Sequence, residues 1–407
     1  MSRFRFSAVL VLGALSQPFA TPQNPPPLVG PLPGQVQPVA PGTRRAPSLP
    51  QLRLVPPIRE VDKIEYLSNG FIEVASAIVL VGADARKDWR PLAAEVARRT
   101  FDARSSLEEV DVTIYDKASY GGFGGPLPIF TASVPRARLN DFLRFSIGER
   151  PYDRAWTAPP AAKTFKMTGA VEPTNAAVRG FLGERADLVK QQIDRAVAQF
   201  RGGEHGGMFF KGSSRVRAAA LTFDDAPHPM YMPLVLDLLR RENVQATFFV
   251  IGRNAEAYPY FIHDMIEGGH EVGNHTYHHV RLPRLPDATV RSELQMTNDV
   301  VQRITGLPVR YFRPPGGEYS VKTLQIARQL GLTTTFWTDD PADFTNPGQT
   351  VLESRLVRRL RPGGLVLLHD NAPEGLAVLA RFARVAETRG ISLVTVGQLA
   401  EQDRAVR

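Results

Sequence analysis

The sequence predicts an α/β protein in which a (β/α)7-type barrel follows a small α+β domain. Three observations carry this expectation. From Val216 onward, apolar strand-like runs alternate with helical runs over most of the remaining 407-residue chain, the pattern of parallel strands joined by crossover helices. Five polar clusters, Asp224-Asp225, His275 to His279, Arg313 to Gly317, Asp340 to Asp343 and His369-Asp370, each stand where an apolar run ends. Parallel barrels do their chemistry at the carboxyl ends of their strands. Finally, Ile58 to Phe145 has shorter runs with their own turn signals and reads as a separate unit.

Taken in order, residues 1–20 read as a secretory signal peptide. Met1 to Phe6 carries two arginines, Ser7 to Leu15 is mostly apolar, and small residues lead to Ala20. The apolar run is too short for a comfortable membrane span, so no integral membrane segment is expected after cleavage. Residues 21–57 recur in proline, almost lack aromatics and show no apolar period, so they should form an extended tether. In the unit over 58–150, Asp62 to Leu67 and Phe71 to Val81 read as strands joined by Asn69-Gly70, a dipeptide suited to a tight hairpin. Ala85 to Phe101 reads as a helix, and Val110 to Tyr115 and Leu127 to Val134 as further strands. No catalytic constellation lies in this unit; a protein partner, a glycan partner or a supporting role is compatible with it.

Residues 151–212 read as linker and helix: Asp153 to Met167 as linker, Asn175 to Phe200 as helix, and the Gly-rich Gly202 to Gly212 as an interruption. The barrel is expected over 213–402. Its strands are Ala218 to Phe223, Ala246 to Ile251, His270 to Gly273, Val309 to Phe312, Thr333 to Trp337, Leu365 to Leu368 and Leu393 to Val396. Helices are expected at Pro233 to Leu239, Tyr260 to Glu267, Val290 to Ile304, Val321 to Leu330, Val351 to Leu360 and Leu376 to Thr388. About seven strands is close to what a closed barrel needs.

Charge and composition narrow the function. Lys and Arg number 49 against 41 Asp and Glu, a net charge of +8 that favours acidic polymers such as wall or capsule material. Nucleic acid fits less well, because the arginines are scattered along several helices rather than gathered in one tract, and because export is expected. With no cysteine, any metal must be held by nitrogen and oxygen ligands.

Several clusters have donor chemistry in common. Asp224 and Asp225 leave the first barrel strand pointing in different directions, so one can bind a metal while the other faces water. Alone, such a pair is more often a solvated loop or a helix N-terminal charge. His275 and His279 stand four positions apart, a spacing that brings two rings to one ion if the segment turns helically; His278 lies off that face. His, His and carboxylate with positions left for water suit zinc, and cobalt, nickel or iron use the same donors.

The motifs TFDDAP, HTYHH, RPPGG, DPADF and LLH, in that order, resemble those of the polysaccharide deacetylase family, the carbohydrate esterases that share the chitooligosaccharide deacetylase homology domain. The resemblance runs from about Val216 to Leu399 and implies a distorted (β/α) barrel. It implies Asp224 as catalytic base, Asp225, His275 and His279 as metal ligands, and His369 as general acid. It further implies that Arg313 orients Asp224, that Asp343 pairs with Arg313, and that the RPPGG segment lines the groove, with Pro315 and a backbone N–H at Gly316 near the oxyanion. Phe344 stands where tryptophan is usual, Gly316 where many relatives carry an aromatic residue, and Ala226 where glycine is common. Which carboxylate orients His369 stays open, Asp370 being too close in sequence to reach round.

Three readings follow. The first is a secreted, periplasmic or envelope-associated, metal-dependent deacetylase acting on N-acetylhexosamine units of an acetylated polysaccharide. The second keeps the mechanism and cleaves O-acetyl groups. The third is a wall-binding or scaffold protein without turnover.

Overall fold

A computed structural model of the chain describes residues 48–82, 89–123, 125–159 and 193–407. The expected signal peptide, most of the Pro-rich stretch and the first part of the helix expected from Asn175 lie outside these residues. Among the described residues, no helix is long and apolar enough to cross a membrane.

Two sheets organise the rest. The first has the order β1-β2-β3-β4-β5, with β1 Val61–Ser68, β2 Glu73–Val81, β3 Glu109–Asp116, β4 Phe130–Pro135 and β5 Ala155–Thr157. The hairpin β1–β2 turns at Asn69-Gly70 as expected: Asn69 Oδ1 accepts from the N–H groups of Phe71 and Ile72, and Gly70 takes φ 91°. Helix α1 Trp89–Ala103 crosses over to place β3 parallel to β2, and α2 Leu139–Ser146 follows β4. Two limits of the expected unit shift. Strand β5 falls in the stretch read as linker, and the end of the stretch read as tether is part of the sheet's edge, where Leu52 N–H donates to Ile64 O and Leu54 is buried. Prolines there removed the period that marks strands.

The period of two along β3 explains how this sheet is used. Val110, Val112 and Ile114 pack into the core beneath α1 and α2. Asp111 and Thr113 face the other way and are just as buried. They meet helix α6 Pro259–Glu267 and the turn before it, from the second sheet's unit. The polar groups are paired: Tyr260 Oη donates to Asp111 Oδ2 at 3.0 Å, Thr113 Oγ1 donates to Asp111 Oδ1, and Thr131 Oγ1 donates to Ala257 O. Burial pushes the Asp111 carboxyl up to about 7. At the edge of this interface Arg154 donates twice to Asp264, at 2.6 and 2.9 Å, and also to Ser133 Oγ. Arg154→Ala should therefore lower stability by about 2 kcal/mol, because charge-assisted bonds are lost and Asp264 is left without its partner. Urea unfolding reads this directly.

The second sheet has the order β13-β8-β9-β10-β11-β12-β7-β6, with β14 also on β8. All seven expected strands are present: β8 Ala218–Ala226, β9 Thr247–Val250, β10 Glu271–Asn274, β11 Tyr311–Phe312, β12 Thr333–Thr335, β13 Leu365–His369 and β14 Ser392–Val394. The pairs from β13 round to β12 are parallel, and the buried runs on β8, β9 and β13 are what parallel strands covered on both faces require. Residues 193–201 form α3, and the crossover helices are α4 Met232–Arg241, α5 Gly252–Ala257, α6, α7 Asp287–Thr305, α8 Val321–Gln329, α9 Gln349–Arg359 and α10 Pro373–Thr388.

A fully closed seven-strand barrel does not form. The sheet curls until the chain just after β12 meets β13 at an isolated bridge, Asp339 to Val366. Strand β14 does not extend the ring; it occupies the amino-terminal half of the β8 edge whose carboxyl half pairs with β9. It ends at Val394 because Thr395 caps α11 Val396–Ala405 in a reciprocal box with Gln398. The Gly-rich interruption is also part of the sheet: β6 Glu204–His205 and β7 Met208–Phe209 form a small hairpin, and β7 runs parallel to β12.

Candidate metal and acid-base site

Every polar cluster reaches the carboxyl end of the curled sheet. Strand β8 carries an extra residue against β9 between Phe223 and Ala226, and Asp225 takes φ 69° within that bulge. The bulge turns Asp224 and Asp225 apart. Ala226 is not left-handed, so alanine carries no strain at that position.

The segment after β10 is not helical. Thr276 and His279 both take left-handed φ, 65° and 56°, and Asn274 Oδ1 accepts from Thr276 N–H. Glu293 of α7 fastens the turn by accepting from the N–H groups of Tyr277 and His278, and also contacts His278 Nδ1. His278 thus points away from His275 and His279, whose ring centroids lie 5.0 Å apart.

Asp225, His275 and His279 each offer one ligand atom, and the three atoms lie within 4.8 Å of one another. His279 Nε2 is 3.2 Å and His275 Nε2 is 3.6 Å from Asp225 Oδ1. Two observations fit this trio to a cation. Asp225 Oδ1 is buried and has no hydrogen-bond partner. His275 Nδ1 lies 2.7 Å from Arg313 O, a carbonyl that can only accept, so the proton sits on Nδ1 and the Nε2 lone pair faces the carboxylate. Burial pulls the His275 pKa below its ordinary value, which keeps the neutral, ligating form. Burial pushes the Asp225 carboxyl up, and the His279, His369 and His275 imidazoles more than reverse it. His275→Ala is expected to weaken cation binding by at least about 100-fold, read as metal content after dialysis.

Asp224 is 4% exposed, and its Oδ1 accepts from Arg313 Nη1 at 2.7 Å. Arg313 is fully buried, and donates also to Thr222 Oγ1 and Phe336 O, with Phe249 stacked beneath its guanidinium at 4.1 Å. Burial pulls its pKa down, with Asp224 opposing, and the guanidinium stays charged. The expected orientation of Asp224 by Arg313 is therefore present in the geometry.

Asp343 does not pair with Arg313. Its Oδ1 is 2.8 Å from His369 Nδ1, and its Oδ2 accepts from His369 N–H at 2.7 Å. Topology explains the change. The chain leaving β12 bridges to β13 at Asp339 and Val366, and this brings the following loop to the end of β13, where His369 sits. Burial pulls the His369 pKa down, but the charge and hydrogen bond of Asp343, with Asp225 and Asp224 adding to them, raise it to about 10. Asp370 turns away: its Oδ2 accepts from His228 N–H at 2.6 Å. Asp340 Oδ1 accepts from Ala342 N–H, a turn role.

The groove positions separate. Pro315 is buried and does not line a surface, whereas Gly316 is exposed at φ 65°, a left-handed conformation that glycine takes without strain. Phe344 is 55% exposed and meets the His369 ring edge-on, with centroids 5.6 Å apart. Three residues given no role in the sequence reading hold the site together, Thr222, Asn274 and Glu293, and Asp370, expected only to lie too close to His369 to orient it, fixes His228.

Comparison with known proteins bears on the family of the chain. Residues 211–335 match the family profile described as Polysaccharide deacetylase. A peptidoglycan-N-acetylglucosamine deacetylase of Bacillus cereus is 35% identical over 185 residues, 44% of this chain and 86% of that protein. A chitooligosaccharide deacetylase of Bradyrhizobium sp. is 39% identical over 164 residues, 40% of this chain and 74% of that protein. The structure of peptidoglycan deacetylase PdaC from Bacillus subtilis overlays with a TM-score of 0.45 at 29% identity, over 48% of this chain and 95% of that one, too loose a likeness to carry an argument. The identity to relatives matched over most of their length shows that the chain belongs to the polysaccharide deacetylase family.

Proposed function

We propose that this protein is a metal-dependent hydrolase that removes acetyl groups from N-acetylhexosamine units of a cell-wall glycan or related polymer. The observation that carries the reading is the grouping of Asp225, His275 and His279 within 4.8 Å, beside the Asp224–Arg313 pair and the His369–Asp343 pair. The names of the relatives, peptidoglycan and chitooligosaccharide deacetylases, favour N-acetyl over O-acetyl cleavage. The basic surface suits an acidic envelope polymer, and the leader-like residues 1–20 suit work outside the cytoplasm.

Asp225, His275 and His279 would hold the cation, and zinc is the ion this donor set suits best. When bound, a divalent cation supplies Lewis-acid polarisation of the acyl oxygen and lowers the pKa of water toward neutrality. Asp224, held by Arg313, takes a proton from the attacking water as general base. The backbone N–H of Gly316 is the donor proposed for the developing oxyanion. His369, kept protonated by Asp343, gives its proton to the sugar nitrogen as the C–N bond breaks, so that acetate and a free amine leave. The curled second sheet and its helices carry this chemistry, and the first sheet, β1 to β5, packs against them through β3 and α6.

The test is acetate release from a panel of N- and O-acetylated glycans by metal-stripped protein, before and after each cation is restored. Release from N-acetylated glycan that depends on the cation is expected. Faster release from O-acetylated xylan would move the reading to an esterase, and binding without release from any glycan would move it to a scaffold.

A further inference from the structure

The first sheet sends one aromatic ring to the rim of the site. Phe123, in the connection between β3 and β4, is 41% exposed, yet its ring lies 4.2 Å from that of His228 and 6.3 Å from that of Tyr258. His228 stands three residues after Asp225, and its backbone N–H is fixed by Asp370, the neighbour of His369. Tyr258 is buried, and its hydroxyl lies 3.3 Å from Thr113 Oγ1 of β3, so the base on which Phe123 rests joins both sheets. Tyr120, in the same connection, packs on Tyr115 at 4.9 Å and steadies the turn from its other side.

A second exposed ring reaches the same dipeptide from its other residue. Phe344 meets His369, while Phe123 reaches Asp370 through His228. Burial, with Lys63 nearby, pulls the His228 pKa down to about 3, so the surface under Phe123 is neutral and suits an apolar contact. Pyranose rings carry an apolar C–H face, and aromatic side chains with large, low-entropy faces are what a polymer groove uses to hold it. Remote contacts of this kind hold a chain in register while the reacting unit sits elsewhere.

Resting on the deacetylase reading, we propose that Phe123 is a sugar-stacking platform: it takes the C–H face of a pyranose unit of the acetylated chain, away from the unit whose acetyl group reaches Asp224. The first sheet thereby completes the glycan groove of the second. Phe123 is a subsite residue with no part in bond cleavage.

The test compares wild type, Phe123→Ala and Phe123→Trp, each metal-stripped for the binding measurements and with its cation restored for acetate release. Binding of an N-acetylglucosamine oligosaccharide and of the N-acetylated monosaccharide is read by calorimetry, beside acetate release, metal content and Tm. Phe123→Ala should weaken oligosaccharide binding by about tenfold, leave the monosaccharide and the metal content as in wild type, and lower Tm by only a few degrees through the lost packing on His228. Phe123→Trp should keep wild-type affinity. Unchanged oligosaccharide affinity in Phe123→Ala overturns the inference, as does an equal loss for both sugars or a loss that tryptophan does not restore. Because binding is read without turnover, a wild type that binds the oligosaccharide but releases no acetate refutes the hydrolase reading alone.

Discussion

Asp224→Asn should lower acetate release by about 10²–10⁴-fold while the protein keeps its cation. The proposed ligands are Asp225, His275 and His279, and none is touched by the change. Asparagine is the same size and still offers an oxygen to Arg313 Nη1, which now bonds Asp224 at 2.7 Å, so the fold around Thr222 and Phe336 has its hydrogen bonds. What disappears is the capacity to accept a proton. Stability should fall as well, by about 3 kcal/mol, because the fully buried Arg313 charge loses its counter-charge. Metal content, acetate release and unfolding measured on one preparation separate these effects. Unchanged release would remove Asp224 as the base, and loss of the cation would make it a ligand instead.

Asp343→Asn should slow turnover by about 10²-fold and shift its pH dependence. The carboxylate uses both oxygens on His369, one toward Nδ1 and one accepting from the backbone N–H. Asparagine has one acceptor and one donor at these places, so while the ring carries a proton on Nδ1 one of the two bonds is lost whichever way the amide turns. The direction of the pH effect follows from the charge. Burial lowers the His369 pKa and Asp343 more than offsets it, to about 10, so the histidine stays protonated and ready to donate through neutral pH. Without the negative charge the folded-state pKa falls, and the alkaline limb of the rate profile should move to lower pH. The same linkage bears on stability: the contribution of the raised pKa is present below the unfolded value near 6.5 and is lost as pH rises through about 10. Wild type should therefore lead the variant in stability most clearly at neutral and lower pH. An unshifted alkaline limb would mean that another group donates the proton.

The parts of this site that could be read from sequence are those set by local pattern. Strands β8, β9 and β13 are buried over almost their whole length, which writes an apolar run directly into the sequence, and the polar clusters mark where each run ends. Asp225, His275 and His279 meet as expected, although two left-handed residues, and not a helical turn, bring the imidazoles together. The partner of His369 was not legible, because it depends on where the loop after β12 lands, and a single bridge between Asp339 and Val366 decides that. Strands β6 and β7 are two residues each between glycines, too short to show any period. The docking of the first sheet was hidden for another reason. Asp111 and Thr113 look like the solvent face of an alternating strand, and only Tyr258 and Tyr260, nearly 150 residues further on, bury them.

The most direct test of the account is an anomalous-difference map from crystals grown with zinc. It should show one peak per chain, within about 2.0–2.2 Å of Asp225 Oδ1, His275 Nε2 and His279 Nε2. A peak bound to other side chains, or no peak at this trio in protein that releases acetate, would contradict it.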